Sequence, residues 1–332
     1  MTHVAVMGAG SWGSAFSLVL ADAGNEVRMW GRRADLCDTL TTTHENPEYL
    51  PGVVLPDSVS ASPEPAHALE DADVVVLAVP SQTLRDNLDK WSHLLRPDSL
   101  LLSLMKGVEL GTASRMSEVI AELTGAGPER IGVVSGPNLA KEIAARQPAA
   151  SVVACADEEV ATRLQQLCHT ATFRPYTNTD VVGCELGGAM KNVIALAVGM
   201  ASGLGFGDNT TASVITRGLA ETGRLAQAAG ADPMTLAGLA GLGDLVATCS
   251  SPLSRNRTFG EKLGSGMSVD EVVTSTRQVA EGVKSCEPLS ELSLRYDVDM
   301  PIVDHVVEVV RGDITPEQML TSLISRAATS ER

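Results

Sequence analysis

The chain has 332 residues, with 41 acidic side chains against 25 Lys and Arg and a formal net charge of −16. That length suggests two domains, and that charge argues against nucleic acid or an anionic membrane surface as a partner, so any anionic substrate must meet a local cationic pocket. Six scattered cysteines without a C-x-x-C pair, dispersed histidines and no leader before the first apolar run argue against a disulfide scaffold, a metal site and secretion; the expectation is a cytoplasmic chain with no integral membrane segment.

His3–Met7 reads as a β-branched strand, followed at once by Gly8-Ala9-Gly10-Ser11-Trp12-Gly13. This is G-x-G-x-x-G between a strand and a helix, the setting that gives the motif its meaning. Gly8 allows the tight turn, Gly10 lets a pyrophosphate approach the backbone, and Gly13 lets helix and strand pack closely. The helix over Ser11–Ala23 ends at Gly24-Asn25, and Glu26–Trp30 is the next strand. An acidic residue at its end would bind a ribose 2′-hydroxyl; here Gly31 is followed by Arg32 and Arg33. A neutral residue leaves room for a 2′-phosphate and a guanidinium can grip it, so NADP(H) is favoured, with NAD(H) open. A solvated arginine pair is the alternative.

Residues 41–62 carry three prolines and read as loop with short strand pieces. Asp73–Val79 is a near-continuous apolar run, as a buried parallel strand requires. Leu100–Leu104 is the next strand, and Lys106 follows it, at the carboxyl end where open α/β sheets bind ligands. Ile131–Ser135 is a further strand, Leu139–Ala145 a helix, and Ser151–Cys155 and Thr172–Tyr176 late strands. After Thr179 only helical patterns remain. The expected fold is α/β: an N-terminal Rossmann-type doubly wound sheet over 1–179, then an all-helical domain over 180–332, with a cleft between them.

The run from Val181 to Met200 is apolar on nearly every face and should be a buried helix, yet it holds Glu185, Lys191 and Asn192. A buried lysine is paired, or functional with a lowered pKa, unless its head reaches water. Asp244, after Ala240-Gly241-Leu242-Gly243, either orients a buried ammonium or begins a helix as its cap. Ser254-Arg255-Asn256-Arg257 is either a phosphate clamp or a polar turn.

Taken in order, Gly8–Gly13, Trp30-Gly31-Arg32, Lys106-Gly107, Ser135-Gly136-Pro137, Gly188–Val193, Gly205-Phe206-Gly207, Arg217–Glu221, Ala240–Leu245, Ser254–Arg257 and Glu281-Gly282 resemble the bacterial NAD(P)-dependent glycerol-3-phosphate dehydrogenases over nearly the whole chain. The resemblance implies reversible hydride transfer between NAD(P)H and dihydroxyacetone phosphate, giving sn-glycerol 3-phosphate for phospholipids. It places the proton donor and acceptor at Lys191, with Lys106 and Asp244 beside it. It places cofactor contacts at Ser11, Trp12, Arg32, Lys106, Ala140, Arg255, Val279 and Glu281, and substrate contacts at Lys106, Gly136, Lys191, Asp244, Ser254, Arg255 and Asn256. Asn138 stands where the family often has Thr and can still donate and accept, so it stays in the substrate set; Arg33 beside Arg32 strengthens the NADP reading. A homodimer is expected, with no metal. The competing readings are a hydroxy-acid or sugar-acid dehydrogenase of the same two-domain plan, and a non-catalytic NADP(H) sensor.

Overall fold

The computed structural model describes residues 2–275 and 281–326. Strand β1 (His3–Met7) leads through the glycine turn into helix α1 (Ser11–Asp22), then β2 (Glu26–Trp30) and α2 (Ala34–Thr43). A small antiparallel hairpin of β3 (Glu45–Asn46) and β4 (Leu50–Val54) follows, then β5 (Val59–Ser62), α3 (Pro65–Leu69), β6 (Val74–Leu77), α4 (Leu84–Trp91), β7 (Leu100–Ser103) and α5 (Met116–Thr124). The half closes with β8 (Ile131–Ser135), α6 (Ala140–Ala144), β9 (Ala149–Cys155), α7 (Glu158–Cys168) and β10 (Phe173–Asn178).

Eight strands form one sheet in the order β10-β9-β8-β7-β6-β1-β2-β5. β1 lies near the centre, with Val4 opposite Val27 of β2 and Val74 of β6. Val4, Ala5, Val6 and Met7 are all buried, which is why this strand reads as continuous apolar sequence. One face of the sheet packs against α1 through Phe16 and Leu20, the other against α4 through Leu84, Leu88 and Trp91.

Residues 41–62 carry the expected short strand pieces, β3, β4 and β5, of which β5 joins the main sheet beside β2, while α2 reaches into the segment as far as Thr43. The sheet is not wholly parallel, since β9 runs antiparallel to β8. Apolar content records burial on both faces, not strand direction.

The second half is helical: α8 (Val181–Gly203), α9 (Asp208–Ala228), α10 (Pro233–Ala237), a π-helical turn (Leu239–Gly243), α11 (Asp244–Ser250), α12 (Arg255–Gly264), α13 (Val269–Ser275), α14 (Glu281–Arg295), α15 (Pro301–Arg311) and α16 (Pro316–Ser325). Helix α8 is long and apolar enough to cross a bilayer, but every residue from Gly183 to Ala201 is buried among the protein's own elements.

Its tightest neighbour is α12. Gly199 and Gly203 on α8 face Gly260 and Gly264 on α12, and a Cβ at any of the four would collide with backbone of the opposite helix. The two G-x-x-x-G seams let the helices touch main chain to main chain, which fixes the start of α12 relative to Lys191. Replacing Gly260 by Leu should drive the helices apart. Overpacking costs about 1–3 kcal/mol even where only side chains must give, and backbone must give here. At roughly 2–4 °C per kcal/mol, a fall in Tm of roughly 6 °C or more is expected by scanning fluorimetry; an unchanged Tm would mean that the seam is not closed.

Candidate active site

Helices α1 and α4 pack on opposite faces of the sheet, so the carboxyl ends of β1 and β6 form its switch point, where such sheets bind ligands. Gly8 sits there with φ +139°, and a Cβ on it would lie 2.5 Å from the Ala78 carbonyl oxygen beyond β6. A Cβ on Gly13 would collide with the Gly8 carbonyl, whereas around Gly10 a Cβ would meet nothing within 4 Å. The first turn of α1 therefore opens on bare backbone N–H groups with no side-chain cap, and the buried Trp12 indole N–H has no partner. Ser11 donates to the Tyr49 carbonyl at 2.7 Å. Space, donors and helix dipole all fit a dinucleotide pyrophosphate.

At the end of β2, a Cβ on Gly31 would press on Cys37 Sγ at 3.0 Å, so no acidic side chain fits there without rearrangement. Arg32 and Arg33 are both exposed, but they are not equivalent. Arg33 grips Asp35 through Nε and Nη2 at 3.1 and 2.8 Å and Glu48 through Nη1. These contacts hold both carboxyls below their usual range. Arg32 has no ion pair among the described residues.

The chemistry-bearing groups meet across the two halves. Lys106, just beyond β7, donates from Nζ to Asp244 Oδ2 at 2.7 Å and to the Gly136 carbonyl at 2.8 Å. Lys191, in the middle of α8, donates to the other oxygen of the same carboxylate. Asp244 is only 1% exposed. Local glycines make this convergence: Gly187 lets the π-helical turn before Asp244 settle on α8, where a Cβ would lie 2.5 Å from the Ala240 carbonyl. A Cβ on Gly188 would lie 3.3 Å from Lys106 Cγ, so its absence leaves room for the lysine stem. Two ammonium groups against one carboxylate leave the site net positive inside an acidic protein. Burial pulls the Lys106 ammonium down to about 8; Asp244 opposes that shift and Lys191 adds to it. The geometry thus decides two readings left open by the sequence: Lys191 is buried and paired, and Asp244 binds ammonium groups.

The cluster after Ser254 joins the start of α12 to a buried hydrogen-bond network. Ser254 Oγ caps α12 by accepting from the Arg257 backbone N–H at 3.2 Å. Asn256 is buried, donates to Asn192 Oδ1 at 2.8 Å and accepts from the Gly282 N–H at 2.9 Å. Asn192 in turn donates to the Lys106 carbonyl at 3.1 Å. Asn256 is thus the middle of a directed amide chain from α14 to Lys106, and one of its two amide protons is committed to it. Arg255, the first residue of α12, is exposed.

Beside Lys106, Asn138 Nδ2 donates to Ser151 Oγ at 3.1 Å while Asn138 Oδ1 is buried without a partner, as are Ser135 Oγ and Ser285 Oγ. Ala140 begins α6 and Glu281 begins α14, both partly exposed. Val279 lies outside the described residues. Glu185 takes no part in the lysine cluster: it accepts from Arg115 Nη1 at 2.7 Å and Ser117 N–H at 2.8 Å, tying α8 to the start of α5. No group of three or more potential metal ligands occurs among the described residues, and all six cysteines are buried and unpaired.

Profiles described as NAD-dependent glycerol-3-phosphate dehydrogenase N-terminus and C-terminus match residues 3–161 and 180–321. The chain belongs to the NAD-dependent glycerol-3-phosphate dehydrogenase family. It is 63% identical, over the full length of both chains, to a protein of Streptomyces griseus named glycerol-3-phosphate dehydrogenase [NAD(P)+]. It is 57% identical, again over both full lengths, to the protein of that name from Corynebacterium kroppenstedtii. A crystal structure of glycerol-3-phosphate dehydrogenase from Coxiella burnetii superposes with a TM-score of 0.94 at 36% identity, covering 98% of this chain and 99% of that one. Ketopantoate reductase structures at 16–17% identity and TM-scores of 0.59–0.60 share the fold alone.

Within this family frame, the sequence reading missed three features. The facing glycine seams were legible as G-x-x-x-G at 199–203 and 260–264. The amide chain through Asn192 and Asn256 was not, because its members lie 64 residues apart. Nor was the engagement of Arg33 by Glu48, fifteen residues further on.

Proposed function

We infer that this chain is an NAD(P)-dependent glycerol-3-phosphate dehydrogenase, reducing dihydroxyacetone phosphate to sn-glycerol 3-phosphate and running in reverse with NAD(P)+. The observation that carries the reading is the pair of lysines on Asp244, set at the carboxyl ends of the sheet that also bears the dinucleotide cradle. When bound, the nicotinamide cofactor supplies the hydride. Gly8, Gly10, Ser11, Trp12 and Gly13 hold its pyrophosphate, with Ala140, Arg255, Val279 and Glu281 as further contacts. Lys191 stabilises the negative charge that develops on the carbonyl oxygen and donates the proton. Lys106 adds a second positive charge, and Asp244 aims both. Arg255 meets the substrate phosphate, supported by Gly136, Asn138, Ser254 and the uncommitted amide proton of Asn256, so that remote binding energy positions the carbonyl. The two halves, 1–179 and 180–332, then act as cofactor and substrate domains.

NADP(H) is the favoured cofactor, through Arg32 and Arg33, and the product feeds phospholipid synthesis in the cytoplasm. A homodimer through the helical half completes the reading, where Met234, Leu242, Val246 and Leu253 are exposed apolar side chains.

The test is nicotinamide absorbance with purified protein and dihydroxyacetone phosphate, run with NADPH and with NADH. Loss of absorbance is expected with both. Replacing Arg32 and Arg33 together by Ala should lower kcat/KM for NADPH about fivefold more than for NADH, since the uncommitted Arg32 guanidinium lost from a phosphate removes one charge-assisted contact of roughly 1 kcal/mol. Equal losses would reject the 2′-phosphate role. Flat traces from folded protein would reject the dehydrogenase.

A further inference from the structure

The segment 44–55 lies over the nucleotide cradle and has no role in the reaction derived above. Its Asn46 is 1% exposed and donates from Nδ2 to the Ala9 carbonyl of the glycine turn at 3.0 Å and to Ser14 Oγ at 2.9 Å. Asn46 Oδ1 accepts from the Tyr49 N–H at 3.1 Å, and the Tyr49 carbonyl accepts from Ser11. The hairpin is therefore pinned to the pyrophosphate loop on one side. Between those two pins stands Glu48, whose carboxylate reaches across to Arg33 at the end of β2. That carboxylate thus bridges the pyrophosphate loop to the strand end where this fold places the adenosine ribose.

We propose that Glu48, assisted by Asp35, is a specificity-determining residue that makes the ribose site tolerant of both cofactors by occupying Arg33. This rests on the dinucleotide reading of the glycine turn. Three of the guanidinium's nitrogens are committed, two to Asp35 and one to Glu48. The Nε–Nη2 edge, which would otherwise clasp a phosphate bidentately, faces Asp35. Counted together, Arg32, Arg33, Asp35 and Glu48 carry no net charge, so a 2′-phosphate of about −1.5 to −2 charge meets one uncommitted arginine and two carboxylates. For a cofactor without that phosphate, the same carboxylates are acceptors for the 2′-hydroxyl. Acid is usually supplied from the end of the second strand. Here Gly31 has no room for it, and α2 and the hairpin bring it instead.

The test uses ligands that report the ribose site without turnover. Dissociation constants of 2′,5′-ADP and of 5′-AMP are measured by calorimetry for the intact protein and for Glu48→Gln, beside kcat/KM for NADPH and NADH. Glu48 is exposed, so its neutral isostere leaves the fold intact. Releasing Nη1 of Arg33 to meet a phosphate, with one carboxylate charge removed, should raise the preference for 2′,5′-ADP over AMP, and for NADPH over NADH, about fivefold, the equivalent of roughly 1 kcal/mol. The gain should shrink in high salt. It should also vanish when Arg33 is already Ala. An unchanged ratio in Glu48→Gln overturns the proposal while leaving the dinucleotide reading intact. The same gain in the Arg33→Ala background overturns it too, because Glu48 would then act by direct repulsion. Failure of the intact protein to bind either nucleotide overturns both readings.

Discussion

Replacing Lys191 by Ala should lower turnover of dihydroxyacetone phosphate by about 10³- to 10⁴-fold or more, with cofactor affinity within about twofold of the intact protein. A positioned general acid is worth about 10² to 10⁴, and a fixed charge facing a developing oxyanion about 10² to 10³; Lys191 does both. Lys106 cannot take over, because its ammonium is tied to the Gly136 carbonyl as well as to Asp244 and is anchored on the opposite element. Folding should survive the change. Asp244 keeps its bond to Lys106, so no carboxylate is stranded, and the lost stem lies in a helix whose apolar contacts, such as Met190 and Val193, are untouched. Steady-state kinetics with NADPH, beside NADPH titration by fluorescence, separate the two effects. Turnover within about tenfold of normal would remove Lys191 from the proton-transfer role.

The sequence made the first half legible because its signals are local. A strand, three glycines and the start of a helix within the first thirteen residues specify a turn whose geometry has few solutions, and the structure has that turn. The end of β2 was half legible: Gly31 and the arginines could be read, but the acids that engage Arg33 come from another turn and another hairpin. In the helical half, Lys191 stood out because an ammonium in an apolar run needs a reason, and Asp244 because a lone carboxylate among glycines does. Their pairing, across 53 residues, could only be guessed. Asn256 was legible only in part: beside two arginines it reads as a phosphate ligand, but the commitment of its side-chain oxygen to Gly282 and of one amide proton to Asn192 comes from partners that no local pattern predicts.

The same logic makes Asp244→Asn the sharper probe of the site's electrostatics. The amide keeps the shape of the carboxylate but not its charge, so two buried ammonium groups lose their common counter-ion while remaining close to each other. Leaving a buried charge uncompensated costs about 3–5 kcal/mol, and the cheaper response is to release a proton. Lys106, already pulled down to about 8 against the pull of Asp244, should be the first to do so, titrating at a lower pH once that pull is gone. In the intact protein the reductive rate should therefore fall as pH rises through about 8, where the second positive charge is lost. In Asp244→Asn the fall should begin at lower pH, and turnover near neutrality should drop by about 10²- to 10³-fold. Stability gives an independent sign. A lysine whose folded pKa lies below its unfolded value binds fewer protons folded than unfolded over that interval, so stability rises with pH across it. The interval widens at its acid end when Lys106 shifts further down, and the variant should gain more stability than the intact protein between neutral and alkaline pH. Rate–pH and Tm–pH profiles of the two proteins measure this directly. Coincident profiles, with only the amplitude of the rate reduced, would mean that Asp244 positions the lysines without setting their charge.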